Sequence, residues 1–226
     1  MKKIVIILIL LIQTSISNSH ISHYNKYNKI EMDILRNGKL IGYNIYFFKR
    51  IGNETTVTNQ IKFSLKLLGA TILKLEGFGE EKYLKDQLIS YNSKTLQNDK
   101  EKYVNLTFDK NKNNFDIKGS SYKGKASIDN LIGNWWNHKI LQASSQISPI
   151  SGSVKGQIVK YLGKEKIEQY GKTYEVDRFK LNSVDMSLPK DKRLDFDIWY
   201  DPNTSMILRV SYSRMGNWEY RLKNLK

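Results

Sequence analysis

The stretch IDNLIGNWWNHKILQA, residues 128–143, decides how the rest of the chain is read. Ile128, Leu131, Ile132, Trp135 and Trp136 recur at i, i+3, i+4, i+7 and i+8, one apolar face of an α-helix. Lys139 projects onto that face and Leu141 opposite it, so the spacing predicts a helix that ends near His138. Asp129 or Asn130 can accept from the free N–H groups at its start. Two adjacent tryptophans on so short a helix are a large apolar load, and each buried indole N–H needs a partner. They either pack a core or line and lid a hydrophobic pocket.

Outward from this stretch, period-two alternation dominates. Residues 55–67 carry it most cleanly, with Val57, Ile61, Phe63, Leu65 and Leu67 alternating with polar residues; Asn59 alone interrupts the apolar face. Asn37-Gly38 between two alternating runs is the strongest short hairpin signal, because both turn positions need positive φ. Ile41, Tyr43, Ile45 and Phe47 share one face of the second strand, and Gly42 marks a bend on the other. After residues 144–152, read as a crossover loop, residues 154–162 and 164–170 predict a hairpin about Gly163, and the last three strands a meander. The fold class expected is mainly β: an antiparallel, strongly curled sheet or open barrel, with one short helix packed in or over its hollow.

The chain begins MKKIVIILILLIQTSISNSH. A basic start, an apolar run over residues 4–12 and Ser17-Asn18-Ser19 predict a signal peptide, residues 1–19, cleaved after Ser19. Residues 20–226 then form a single β-rich domain, and no later stretch is apolar enough to span a membrane. There is no cysteine, which excludes disulfides, thiolate metal sites and a lipid-modified cleavage site. An exported chain that relies on its core alone suits a Gram-negative periplasm. The formal net charge is +15, and +13 without Lys2 and Lys3, which favours an anionic envelope surface, glycan or lipid head group as partner. The lysines are scattered rather than blocked, so a solvated surface is the plainer reading of that charge.

No phosphate-cradling glycine loop, zinc-site helix motif or nucleophile elbow occurs, and no cofactor is implied. His20 and His23 could bind copper or nickel near a new amino terminus, but a frayed polar end explains them as well. His138 is the only histidine in the folded body and the one candidate for hydrolase chemistry, with no particular serine marked beside it. Glu80 and Glu81 adjoin, and Asp195 and Asp197 share a strand face with Lys192 and Arg193 nearby, a pattern of cross-strand ion pairing rather than of glycoside hydrolysis. Export argues against nucleic acid as a partner.

The order Asn37-Gly38, Ile41-Gly42-Tyr43, the alternating 57–67 strand, Glu81, Leu88-Ile89-Ser90, Trp136-Asn137 and Ile198-Trp199-Tyr200-Asp201 resembles an exported proteobacterial family, the domain-of-unknown-function 6134 family. The likeness covers nearly the whole of residues 20–226, and Trp-Tyr-Asp before a turn is its most specific element. It implies an open, curled sheet, with a more distant similarity to periplasmic lipoprotein carriers, which hold acyl chains in a half-barrel beneath helices. This chain offers only one short helix as a lid. The reading is therefore a non-enzymatic periplasmic binder of an apolar or amphipathic ligand, such as a lipid or acyl chain, lined by Trp135, Trp136, Tyr43, Phe63 and Trp199. The alternatives are a structural or interaction module with a filled core and, third, a hydrolase using His138.

Overall fold

Alternating apolar and polar side chains make long strands, and turn residues that tolerate positive φ join them. The computed structural model describes residues 20–226, so the expected signal peptide lies outside the described residues. The first eight strands are β1 (Lys29–Arg36), β2 (Lys39–Ile51), β3 (Glu54–Leu67), β4 (Ala70–Leu84), β5 (Gln87–Gln97), β6 (Lys100–Asp109), β7 (Asn114–Gly119) and β8 (Lys123–Ser127). The short β9 (Leu131–Ile132) and β10 (Ser145–Ile147) follow, then β11 (Val154–Gln169), β12 (Lys172–Ser183), β13 (Asp195–Asp201), β14 (Met206–Ser213) and β15 (Asn217–Leu225). The β1–β2 turn is Asn37-Gly38 as expected, with φ of 48° and 75°.

All fifteen strands form one sheet, in the order β8 to β1 and then β15 back to β9. Every pairing is antiparallel except β9 with β10. The edge strands β8 and β9 do not pair, so the sheet is not closed. It must nevertheless curl. Laid flat, fourteen strand spacings would separate the edges by roughly 65 Å. Yet Ser127 at the end of β8 and Leu131 at the start of β9 are four residues apart, a reach of at most about 14 Å. The backbone thus brings the two edges together where hydrogen bonds do not, and Asn130 ties the connection by donating to the Ser127 carbonyl at 2.9 Å.

The core fills the inside of this curl. Its main cluster joins residues from both halves of the sheet, among them Tyr46, Val57, Leu106 and Ile117 from one half and Val176, Leu181, Ile198 and Val210 from the other. Residues 128–153 cross the hollow between them.

The crossing segment is not an α-helix, which corrects the expectation. Among the described residues the only helices are 3-10 turns at His20–Tyr24, His138–Leu141 and Lys190–Lys192. A helix would place both indoles on one side. In the extended segment they diverge, Trp135 toward Phe196 and Tyr220, Trp136 toward Tyr24, Phe48 and Tyr83. Asn130, Asn134 and Asn137 are buried here and use their side chains on local backbone and on distant partners, which competes with helical bonding. Leu131 and Ile132 pair instead with β10, which takes up part of the expected crossover loop.

Two smaller expectations also change. Gly163 is no turn: β11 runs through it with a bulge, at φ 119°, and the hairpin turns at Tyr170-Gly171. Asp195 and Asp197 pair across the sheet with Lys180 at 2.6 and 2.9 Å, and Asp197 with Arg178 at 2.8 Å, rather than with Lys192 and Arg193. Register decides this, since β12 lies alongside β13 and the lysine and arginine before β13 do not.

Candidate functional site

The inner face of β2 to β5 is built in cross-strand rows. Asn44, Ile61, Gly77 and Thr95 form one row, Tyr46, Asn59, Gly79 and Ser93 the next, and Phe48, Val57, Glu81 and Tyr91 a third. The two glycines remove side chains from the middle of this face, between Asn59 and Ser93 in one row and Ile61 and Thr95 in the other. The room left is partial: a Cβ on Gly79 would stand 2.9 Å from the Tyr91 hydroxyl oxygen, and one on Gly77 3.0 Å from Ile61 and Thr95.

A cavity of about 570 Å³ occupies this bay. Its polar floor is Asn44, Asn59, Ser93, Thr95 and Glu81, and its opposite wall is Trp135, Phe196, Tyr212 and Tyr220. Exposed residues, including Phe78, Met186, Lys190 and Arg214, also line it, so it communicates with solvent. Lys155, Lys190, Arg193 and Arg214 gather at that end, with Asp195 in the lining and the Asp191 charge acting on Lys155. Lys155 donates to the Lys192 carbonyl at 2.6 Å. Burial and then the Arg214 charge hold its ammonium below the usual lysine range.

At the deep side of the floor, Glu81 anchors the crossing segment. It is 2 % exposed. Its Oε1 accepts from Asn134 Nδ2 at 2.6 Å and from Trp136 Nε1 at 3.0 Å, and its Oε2 accepts from the Tyr83 hydroxyl. Burial nevertheless outweighs these donors and pushes the carboxyl up to about 7. Tyr46 holds the next residue: its hydroxyl oxygen accepts from the Trp135 backbone N–H at 3.2 Å and from Asn44 Nδ2 at 2.8 Å. Asn59 in turn donates to Asn44 Oδ1 at 2.5 Å. Tyr91 and Ser93 both donate to the Pro149 carbonyl, at 2.9 and 2.7 Å, fixing the far end of the segment. The buried Asn134 Oδ1 has no partner among the described residues.

Of the five residues expected to line a pocket, Trp135 does. Trp136 lies one layer deeper, 1 % exposed, edge-on to Tyr24, Phe48 and Tyr83. Phe63 packs against Trp218 in a second core cluster with Ile34, Leu65 and Leu75. Tyr43 lies in an open groove with Asp33, Lys66 and Lys223. Trp199 faces the side of β13 opposite Ile198, between the guanidinium groups of Arg178 and Arg209 at 5.2 and 5.6 Å, and its indole N–H donates to Glu165. His138 does not line the cavity: its Nδ1 is 2.7 Å from the Tyr24 hydroxyl, and burial pushes its imidazole down to about 4. Asp201, last of the Trp-Tyr-Asp run, shapes the β13–β14 turn by accepting from the Asn203 N–H at 2.9 Å and the Thr204 hydroxyl at 2.7 Å.

Sequence reading weighed Glu81 only as a neighbour of Glu80 and as part of the family resemblance, and it gave Gly77 and Gly79 no role. The signal was present as parity: 77, 79, 81 and 83 continue one face of β4, opposite the interruption at Asn59. Among the described residues no cluster of three or more metal-ligating side chains occurs.

A crystal structure of a β-barrel-like protein of domain of unknown function DUF1849 from Brucella abortus is similar over 88 % of this chain and 96 % of that one, with a TM-score of 0.58 and 8 % identity. That likeness concerns the fold alone. A Bacteroides fragilis protein with a YmcC-like fold aligns over 88 % and 94 % of the two chains at 12 % identity, with a TM-score of 0.35. No curated protein matches the chain. The model for the domain of unknown function DUF6134 matches residues 32–223, nearly the whole sheet, and the chain belongs to that family.

Proposed function

We propose that this chain is an exported, non-catalytic binder of an amphipathic ligand with an anionic group and a lipid-like body. The observation that carries the reading is the 570 Å³ cavity with aromatic groups on one wall and unbalanced positive charge at its open end. The volume falls within the range of small-molecule sites. The apolar body would lie against Trp135 and Phe196, and the anionic group near Lys155 and Arg214. After burial, the Arg214 charge is what holds the Lys155 ammonium below its ordinary range, and an anion between the two would relieve that repulsion. No catalytic step is invoked, and the periplasm is the compartment the leader implies.

Native mass spectrometry of the purified protein, followed by solvent extraction, tests the reading. The expected result is a bound lipid or fatty acid that leaves when Ile61→Trp fills the cavity. If the mass is that of the bare chain and added fatty acids leave Trp135 fluorescence unchanged, the interior is simply a core with water in it, and a structural or interaction role takes over.

A further inference from the structure

The turn between β3 and β4 is built from a residue that the fold does not ask for. Leu68 sits at φ 49° and Gly69 at φ 83°, a two-residue hairpin turn that favours Asn, Asp or Gly at its first position. The equivalent turns on the same rim use Asn37-Gly38 and Asn98-Asp99. Leu68 is 99 % exposed, so it packs against nothing. A leucine in a left-handed conformation, fully in water, gains neither turn geometry nor burial.

It is not alone. Strand directions place the β1–β2, β3–β4 and β14–β15 turns at one end of the sheet, together with the loop between β12 and β13. That rim exposes Leu40 at 61 %, Leu67 at 56 %, Met186 at 58 % and Met215 at 68 %. Lys39 and Lys66 flank the β3–β4 tip and Lys74 lies beside the β5–β6 turn, and none of them joins the ion pairs found among the described residues. Met186, Lys190, Arg193 and Arg214 on the same rim also line the open end of the cavity.

We infer that this rim docks on an anionic lipid bilayer, with Leu68 at the tip inserted among acyl chains and the lysines against phosphate head groups. Apolar residues beside unpaired cations fit that surface on both counts, since burial favours the leucine and surface potential favours the lysines. Docking on this rim sets the cavity mouth against the lipid. The inference rests in part on the binding function above, from which a ligand would pass between membrane and cavity, but the docking itself is read separately.

The absence of cysteine makes a direct test available. A polarity-sensitive dye is attached at Ala70→Cys beside the tip and, as a control, at Asn53→Cys on the opposite rim. Vesicles of phosphatidylcholine with and without phosphatidylglycerol are then added. The expected result is a blue shift at position 70 only, and only with anionic vesicles. Leu68→Asn weakens it about tenfold or more, and neutralising Lys39 or Lys66 about fivefold each. Equal response at both sites, or a response unchanged by Leu68→Asn or by lipid charge, overturns the proposal. A concentration-dependent dimer that Leu68→Asn abolishes, without vesicle binding, assigns the patch to a second copy and overturns it as well. Ile61→Trp serves to separate the two readings: it empties the cavity of ligand and leaves the dye response unchanged.

Discussion

Replacing Glu81 by Gln turns the buried anchor into a pH experiment. In the folded protein burial raises this carboxyl from 4.5 to about 7. The native state therefore holds a proton through that window that the unfolded chain has released, and stability contributed by Glu81 is full below pH 4.5 and is lost as pH rises through about 7. The gap corresponds to about 3 kcal/mol at most. Gln keeps the shape and never ionises. Its carbonyl oxygen can still accept from Asn134 and Trp136, and its amide can donate to the Tyr83 oxygen once that hydroxyl turns. The expected result is near-equal stability of the two proteins at pH 4.5, with Glu81→Gln more stable by up to about 3 kcal/mol at pH 8. Urea unfolding followed by tryptophan fluorescence, repeated across that range, measures the difference. His138, pushed down to about 4, gives a slope of opposite sign below pH 6.5, but it is present in both proteins and cancels from the comparison. A difference that is constant with pH, or that favours the wild type most at pH 8, would refute the account, because it would mean that three donors fully compensate the buried charge.

Trp136→Ala should cost about 3–5 kcal/mol in urea unfolding, the usual range for an aromatic removed from a packed core, whereas Trp135→Ala at the cavity wall should cost less and reduce ligand retention. Gly42→Ala should lower the melting temperature sharply: its Cβ would stand 2.1 Å from the Lys62 carbonyl oxygen and 2.5 Å from Phe63 Cβ, and neither strand can move away without breaking their pairing. An Ala variant as stable as the wild type would show that β2 and β3 are not in this register.

The legible part of the site was its chemistry by type, and the illegible part its geometry. Adjacent tryptophans announce a buried site, but their i, i+3, i+4 company was misleading, because Leu131 and Ile132 form a two-residue strand parallel to β10 and pack into the core from it rather than from a helix. Trp199 carries the same apolar weight in sequence as Trp135, yet a single strand position separates facing inward from lying between two arginines. The sequence set Glu81 and Glu80 on opposite faces of β4 without saying which face is buried. Only the parity of β4, fixed by its pairing with β3, turns one inward and leaves the other in contact with Lys82 at 3.3 Å.

The amino-acid order by itself determined the long strands, tight turns such as Asn37-Gly38 and the mainly antiparallel class, since period-two alternation and positive-φ residues are local properties. Tertiary structure alone decided that the curled sheet stays open between β8 and β9, that the tryptophan segment stays extended, and that two glycines leave a bay beside it. These outcomes depend on which residues meet across distances of fifty or more positions, as Glu81 meets Asn134 and Trp136. Local pattern carries no record of such meetings, because a buried partner and an exposed neighbour can have the same sequence around them.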